Sequence, residues 1–286
     1  MTPDAYSLAL PEVQTTSVVF ASPHSGRHYS QAFMRQSILD DRTIRSSEDA
    51  YMDELIAAAP SFGAPLLSAI WPRAYLDLNR SPDEFDPSVI KDIRTVSHNP
   101  RISSGLGVIP RVVSNGRAIY SGKLSLTEAQ ERINDCWKPY HARLETLMQV
   151  TRTQFGKAIL IDCHSMPHEA VDAVVQPGKP RPDVVLGDRF GASASGALVE
   201  QIESIFLEAG LRVSRNAPFA GAYITQHYGR PSRGMHAVQI EVDRSLYLNE
   251  GAVTPNANFD AFRNVLSNIV GQIAEIGAHR LPLAAE

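Results

Sequence analysis

Cysteine is scarce in this chain: two occur among its 286 residues, Cys136 and Cys163. They do not form a C-x-x-C pair, so neither a disulfide framework nor a thiolate zinc site is expected, and a reducing compartment fits this composition. No apolar run approaches the roughly 18 residues of a membrane-spanning helix, and the first residues are not a basic segment followed by a long apolar one. We therefore expect a soluble, cytoplasmic protein that does not bind a membrane.

The chain also has no excess of positive charge, since its formal net charge at pH 7 is −4. Nucleic acid and anionic membrane surfaces are therefore not expected as partners. Glycine loops of the G-x-x-x-x-G-K and G-x-G-x-x-G types are absent as well, which argues against nucleotide cofactors. A small molecule is the expected partner, and no surface stripe indicates an oligomeric state.

The chain does contain an alternation of short apolar runs and longer helical patterns, with 43% hydrophobic residues overall. The apolar runs predict buried strands at 17–21, 65–70, 158–161, 184–186 and 237–242. The helical periodicity predicts helices at 47–59, 125–151, 193–209 and 259–276, with a kink or break at Pro139. This alternation predicts one domain over residues 1–286, a three-layer α/β sandwich with a mixed, largely parallel central sheet. The segment 80–117 has no clear periodicity, and loops of that length are usually functional or disordered.

Three of the apolar runs end in polar side chains that can carry chemistry. They are "TSVVFASPHSG" with His24, "KAILIDCHSMP" with His164 and "HAVQIEVDRSLY" with Glu241. In α/β sheets, ligands bind in the crevice beyond the carboxyl ends of the strands, so one crevice can collect all three side chains. Two neutral imidazoles and one carboxylate, with a fourth position open, form the pattern of a catalytic zinc site.

The third metal ligand is predicted to be Asp49, because the first turn of a helix that follows the first strand can face the same crevice. Glu48 and Asp53 are competing candidates, and Asp49 also has an ordinary explanation as an acidic residue at a helix start. Zinc lowers the pKa of bound water from 15.7 to about 7, which provides a nucleophile for amide or ester hydrolysis. Glu241 is the candidate general base, which would pass the water's proton to the leaving nitrogen.

The motif "DLNR" suggests how a carboxylate is bound. Arg80 presents a planar fork that holds a carboxylate through two parallel hydrogen bonds, and the Asn79 amide adds a donor. Arg80 has an alternative as the partner of Asp77 or Asp83. The pair indicates a substrate that carries a carboxylate.

Further arginines are candidates for a second carboxylate. Arg111 lies in "GVIPRVV", and Arg230 and Arg233 lie in "HYGRPSRG". Of these, Arg111 is taken with Asn79 and Arg80 as the predicted substrate-binding set.

Serine hydrolase chemistry is the competing mechanism, because Ser25 and Ser165 each follow a histidine. Neither serine lies in a G-x-S-x-G motif. Adjacent residues of a strand also point to opposite faces, so these pairs are poorly placed to act as nucleophile and base. Metal-dependent hydrolysis is therefore the preferred interpretation.

Eight short motifs, in order from about residue 18 to residue 250, together resemble the N-formylglutamate amidohydrolase family. They are "SPHSGRHY", "EDAYMDEL", "DLNR", "GVIPRVV", "LIDCHSMP", "DVVLGDRFG", "NAPFAGAYITQHYG" and "QIEVDRSLY". The resemblance implies a zinc-carboxypeptidase-like fold and the metal-dependent hydrolysis of N-formyl-L-glutamate to formate and L-glutamate, a late step of histidine breakdown.

The resemblance also implies roles for individual residues. His24, Asp49 and His164 match the ligands of one zinc ion per chain, although such a site also accepts other divalent transition metals. Glu241 matches the catalytic base, and the Asn79 and Arg80 pair is similar to one that grips a substrate carboxylate.

Some positions depart from the family pattern, among them Ala222 in place of a common glycine and Asp243 in place of a frequent asparagine. They are consistent with a paralogue that prefers another N-acyl amino acid. A metal- and carboxylate-binding protein without turnover is the contrasting hypothesis, which the presence of Glu241 disfavours.

Overall fold

The centre of the protein is a seven-stranded sheet with the strand order β1-β3-β2-β4-β7-β5-β6. The computed structural model describes residues 4–93, 99–174 and 180–278. The strands are β1 (Tyr6–Ala9), β2 (Val18–Ser22), β3 (Leu66–Ala69), β4 (Ala158–Met166), β5 (Val184–Gly187), β6 (Val213–Arg215) and β7 (Met235–Asp243). A separate two-stranded ribbon joins β8 (Leu248–Asn249) to β9 (Thr254–Pro255).

The sheet is mixed and largely parallel, as predicted. The four strands β3, β2, β4 and β7 run parallel to one another, whereas β1 pairs antiparallel with β3 and β5 pairs antiparallel with β7. Because β2, β4 and β7 are parallel, their carboxyl ends meet at one edge, where the candidate site lies. The register of β4 and β7 sets His164 opposite Glu241.

Helices cover both faces of the sheet and so complete three layers. One face packs against α2, α6 and α8, and the other against α1, α4, α5 and α7. Alternation along β2 shows why, since Val18 and Phe20 enter one core while Val19 and Ala21 enter the other. The helices are α1 (Gln31–Gln36), α2 (Met52–Leu55), α3 (Pro100–Ser103), α4 (Leu126–Arg132), α5 (Lys138–Phe155), α6 (Gly196–Glu208), α7 (Tyr223–Tyr228) and α8 (Phe259–Ile276). In the described ranges, no helix is both long and apolar enough to cross a membrane.

The helix predicted at 47–59 is largely absent, and this corrects the local environment expected for Asp49. The structure has a 3-10 turn at Ile44–Ser47, an irregular stretch, and then the single turn of α2. Tyr51 adopts a left-handed conformation with φ 62°, which interrupts a regular helix. The backbone N–H of Asp49 donates to the carbonyl of His24 at 3.0 Å, so the end of β2 holds this stretch in place.

The helical run around Pro139 continues without a break from α4 into α5. A π turn at Ile133–Trp137 joins the two helices, and the Lys138 N–H reaches back five residues to the Ile133 carbonyl. Pro139 follows at the start of α5. The wide turn thus absorbs the proline, which lacks an N–H and clashes in a regular helix interior.

The segment 80–117 is largely irregular, but some of its side chains are buried in the core. It contains α3 and a 3-10 turn at Ser114–Gly116. Val89, Ile90, Val108 and Ile109 of this segment join the core on the α5 side of the sheet. Residues 94–98 of the predicted loop lie outside the described residues.

The close approach of one loop to the sheet at Gly187 generates a prediction about stability. A Cβ at this position would lie 2.8 Å from backbone atoms of Ala220 and Gly221. We expect Gly187→Ala to lower the free energy of unfolding by about 1–3 kcal/mol, because the loop must move to admit the methyl group. Urea denaturation measures this change. Gly196→Ala is the matched control, because its Cβ meets nothing within 4 Å, and equal stability of the two variants would contradict the prediction.

Candidate metal centre and active-site cavity

His24, Asp49 and His164 meet at the carboxyl edge of the sheet. One ligand atom from each side chain lies within 4.8 Å of the others. The Asp49 Oδ2 atom is 2.9 Å from Nδ1 of His164 and 3.4 Å from Nδ1 of His24. All three residues are buried, with at most 2% of their surface exposed. In the part of the chain that the structure describes, this is the one group of histidine, cysteine and acidic side chains arranged to hold a metal ion.

The structure distinguishes Asp49 from the two competing carboxylates. Glu48 is paired with Arg45 at 2.9 Å, and Asp53 is paired with Arg27 at 3.2 Å. Both point away from the histidines, so Asp49 is the carboxylate of this stretch that faces them.

Two further carboxylates orient the imidazole rings. Nε2 of His24 lies 2.8 Å from Asp77 Oδ1, and Nε2 of His164 lies 3.1 Å from Asp162 Oδ2. Because an ionised carboxylate only accepts, each Nε2 carries a proton, and so does Nδ1 of His164, which donates to Asp49 Oδ2 at 2.9 Å. Nδ1 of each ring faces Asp49. Metal-binding histidines are commonly oriented by such partners.

The donor set fits a cation. Nδ1 of His24 is buried and has no hydrogen-bond partner, since its 3.4 Å approach to Asp49 is not a hydrogen bond. An unpaired buried nitrogen is costly unless a ligand satisfies it. Two imidazole nitrogens and one carboxylate oxygen are also the donor types that zinc prefers. These residues therefore suit a divalent transition metal.

The motifs alone do not assign Asp77 and Asp162 to the metal centre, although the sequence contains a signal for each. Asp162 is two residues before His164 on β4, and side chains two apart on a strand share a face. Asp77 belongs to the "DLNR" motif, where it was considered only as a partner of Arg80. In the structure its ion pair is with Arg73 Nε, at 3.0 Å.

Hydrogen bonds and nearby cations keep the carboxylates of the centre ionised. Burial alone would raise the pKa of Asp49, but the hydrogen bond from His164 and the nearby imidazole of His24 outweigh it and hold that pKa well below its usual value. Burial likewise opposes the ionisation of Asp77, and the charges of Arg73 and His24 lower its pKa. Arg244 donates to the second oxygen of Asp49 at 2.9 Å.

Glu241 lies beside this centre, and its pKa is raised where those of Asp49 and Asp77 are lowered. It is 8% exposed and accepts a hydrogen bond from Gln239 Nε2 at 2.7 Å. Burial raises its pKa to about 7, although the charge of His164 acts in the opposite direction. A carboxylate whose pKa is near neutral can both accept and return a proton under ordinary conditions.

A cavity of about 510 Å³ opens onto these groups. Its volume is within the range of small-molecule sites. The 217–222 loop and the 101–116 part of the long irregular segment form its walls. Its polar lining residues include His24, His164, Glu241, Asn79, Arg73, Arg80, Arg101 and Arg244.

Asn79 and Arg80 reach this cavity, as the proposed role in carboxylate binding requires. Asn79 is buried, and its Oδ1 accepts the Ile224 N–H at 2.8 Å. Arg80 donates from Nε to the Leu106 carbonyl at 2.9 Å, and its own carbonyl accepts the indole N–H of Trp137 at 3.0 Å. The neighbouring helix thus holds the motif in place.

The other candidate arginines lie elsewhere. Arg111 is ion-paired with Asp86 at 3.0 Å and is not among the residues that line the cavity. Arg230 precedes the 3-10 turn that leads into β7, and Arg233 is the last residue of that turn. That turn is at the amino end of β7, several residues from Glu241, so neither arginine faces the site.

The serine alternative finds no support in the geometry. The Ser25 hydroxyl accepts from Ser22 Oγ at 2.9 Å, and Ser165 Oγ accepts from Arg244 Nε at 3.0 Å. Among the described contacts, neither hydroxyl is hydrogen-bonded to a histidine ring. A nucleophile and base pair is therefore not assembled at these serines.

Comparison with known proteins places this site in a family. A family model described as N-formylglutamate amidohydrolase matches residues 16–248. An N-formylglutamate deformylase of Pseudomonas putida is 30% identical over 240 residues, which is 82% of this chain and 82% of that protein. One from Pseudomonas aeruginosa is 29% identical over 244 residues, with 82% and 83% covered. The resemblance inferred from the motifs is confirmed.

Solved structures agree with the fold. The crystal structure of N-formylglutamate amidohydrolase from Ralstonia eutropha JMP134 is 34% identical, with a TM-score of 0.89 over 95% of this chain and 98% of that one. A gene product of Agrobacterium tumefaciens is 17% identical, with a TM-score of 0.66 and 96% of each chain covered, and it shows the fold alone.

The raised pKa of Glu241 predicts how the stability of the metal-free protein depends on pH. Below pH 4.5, its ordinary pKa, the group is protonated in both the folded and the unfolded chain. Between pH 4.5 and 7 the unfolded chain ionises first, so the folded state loses stability, by about 3 kcal/mol once the pH exceeds 7. Glu241→Gln removes this loss. We expect the variant to be more stable than the parent at pH 8 and similar at pH 4, measured by denaturation in a chelator.

A stability difference between the two proteins that stays constant from pH 4 to pH 8 would contradict this assignment. Gln at position 241 can still accept the hydrogen bond from Gln239, so the comparison isolates the charge of Glu241.

Proposed function

Because this chain belongs to the N-formylglutamate amidohydrolase family, we propose that it hydrolyses N-formyl-L-glutamate to formate and L-glutamate with the help of a bound metal ion. The observation that carries the proposal is the convergence of His24, Asp49 and His164, with His24, His164 and Glu241 lining one cavity. The deformylases that this chain resembles support the substrate. A cytoplasmic role in histidine breakdown is the context that this reaction suggests.

We propose zinc as the metal, held by His24, Asp49 and His164, with Asp77 and Asp162 fixing the two imidazole rings. One such ion binds per chain, and the same donors accept other divalent transition metals. When bound, zinc supplies Lewis acidity, which polarises a carbonyl and lowers the pKa of a bound water. The buried unpaired Nδ1 of His24 supports this assignment.

Glu241 acts as the proton carrier. Its carboxylate removes a proton from the water whose oxygen adds to the formyl carbon. It then gives that proton to the amide nitrogen as the C–N bond breaks, so that formate and the free amino group leave. Its buried position beside the Gln239 amide suits both steps, since the same group must be a base first and an acid afterwards.

Asn79 and Arg80 bind the α-carboxylate of the substrate in this proposal. Arg80 lines the cavity and is 6% exposed, so a carboxylate placed against it is shielded from water. Its fork orients the substrate, and Asn79 adds an amide donor. Orientation of this kind brings the formyl group to Glu241 and away from bulk solvent.

Hydrolysis of N-formyl-L-glutamate tests the proposal. We expect formate release that stops with a chelator and returns with zinc, and a loss of kcat of about 10²–10⁴-fold in Glu241→Gln, because proton transfer is lost. His24→Ala should lose zinc and activity together. Glu200→Gln, on the exposed side of α6, and His236→Ala, at the far end of β7, are matched controls that should keep activity.

Three results would overturn the assignment. Calorimetric binding of N-formylglutamate without consumption would indicate a binding protein, and turnover of another N-acyl amino acid alone would indicate a paralogue. Full activity in both His24→Ala and Glu241→Gln would show that the site lies elsewhere.

The carboxylates behind the histidines predict a change in metal affinity. We expect Asp77→Asn and Asp162→Asn each to weaken zinc binding by about 10–100-fold, because the imidazoles lose the partner that fixes their orientation and raises their basicity. Competition with a chromogenic chelator measures the affinity. Asp260→Asn on α8, where the aspartate is 81% exposed, is the control. Unchanged affinity in the first two variants would mean that these carboxylates do not support the metal.

A further inference from the structure

Four arginines line the cavity, and two of them belong to the metal centre. Arg73 is ion-paired with Asp77, and Arg244 with Asp49. Their charges therefore balance carboxylates of the protein itself. The other two are Arg80 and Arg101.

Within the described residues, neither Arg80 nor Arg101 has a carboxylate partner at ion-pair distance. Arg80 donates hydrogen bonds from Nε to the Leu106 carbonyl and from Nη1 to the Asn79 carbonyl. Burial lowers the pKa of Arg80, the charge of Asp77 opposes this shift, and the charges of Arg73 and Arg101 add to it. The cavity thus presents two cations to an incoming anion, Arg80 buried and Arg101 exposed.

The chain links the backbone of Arg101 to the side chain of Arg80. The N–H of Leu106 donates to the Arg101 carbonyl at 2.8 Å, while the Leu106 carbonyl accepts from Arg80 at 2.9 Å. One residue therefore ties the backbone that carries Arg101 to the guanidinium of Arg80, and the exposed Arg101 side chain extends from that backbone along the cavity. A site with one buried and one exposed cation suits a ligand with two anionic groups.

Arg111 holds the turn behind Arg101. Its side chain bridges Asp86, at 3.0 Å, and the Ser103 carbonyl, at 3.4 Å, while its backbone N–H donates to the Gly105 carbonyl at 2.9 Å. These contacts span the turn that follows α3. They leave Arg101 as the arginine of this segment that reaches the cavity.

We propose that Arg101 binds the side-chain carboxylate of the substrate while Arg80 binds its α-carboxylate. Arg101 then determines specificity: it selects N-formyl amino acids that carry a second carboxylate over neutral ones of the same size. This inference rests on the proposed function, because it assigns a group of that substrate to a residue of that site.

Selectivity between N-formyl-L-glutamate and its neutral isostere N-formyl-L-glutamine tests the role of Arg101. In the zinc-loaded protein, Arg101→Met should lower the ratio of their kcat/KM values by about 10–100-fold, the usual effect of losing a charge-assisted hydrogen bond. The loss should fall on KM for N-formylglutamate, with kcat nearly unchanged, because the contact is equally strong in the ground and transition states. Arg101→Lys should restore part of the ratio. Arg152→Met, at the exposed end of α5, is the control that should keep it.

A selectivity ratio in Arg101→Met equal to that of the parent would overturn the inference while leaving the proposed function in place. A second measurement does not require turnover: calorimetric binding of glutarate, which has two carboxylates, compared with butyrate, which has one. We expect the parent to prefer glutarate and Arg101→Met to lose that preference. If N-formylglutamate is not hydrolysed at all, the proposed function fails, and this comparison still decides whether Arg101 reads a second carboxylate: an unchanged preference overturns that role.

Discussion

The approach of one Asp49 oxygen to the Nδ1 atoms of two histidines is the interaction around which the rest of the site is arranged. It joins the ends of two neighbouring parallel strands to a short stretch that precedes α2. The N–H of Asp49 also donates to the His24 carbonyl, so a backbone hydrogen bond holds Asp49 next to the histidine that its side chain approaches. The carboxylates behind each imidazole then decide which nitrogen faces inward.

Such a concentration of buried charge is tolerable because signs alternate outward from the centre. Asp49 is met by Arg244, and Asp77 by Arg73, so each of these two carboxylates has a cation besides its histidine. Removing one member would leave its partner buried and unpaired, which is costly. Glu241 differs, because burial dominates its environment and raises its pKa to about 7. The site therefore combines carboxylates that stay ionised with one carboxyl group, Glu241, that can gain or lose a proton near neutral pH.

Sequence patterns predict the parts of the fold that depend on short-range periodicity, namely the central strands. Apolar runs that end in His24, His164 and Glu241 identified the central strands and the edge where they meet, because a buried parallel strand reads as a continuous apolar stretch. The edge strand β1 escaped notice, since its half-exposed residues acquire strand structure by pairing with β3. The helix expected around Asp49 does not form, because the hydrogen bond from its N–H to His24, just beyond β2, overrides the local helix propensity. The sequence pattern indicates Arg111 and not Arg101, because the folded turn between them is what brings Arg101 to the cavity and pairs Arg111 with Asp86.

The π turn in the long helix has a consequence for the support of Arg80. The turn ends at Trp137, whose indole N–H donates to the Arg80 carbonyl at 3.0 Å. A π turn holds one more residue than an α turn, so loss of one residue there would let the chain close into a regular helix while the helix on either side keeps its direction. The residues of the turn itself, Trp137 among them, would have to reorient. Helix regularity and the contact to Arg80, 57 residues earlier in the chain, therefore place opposite demands on this turn.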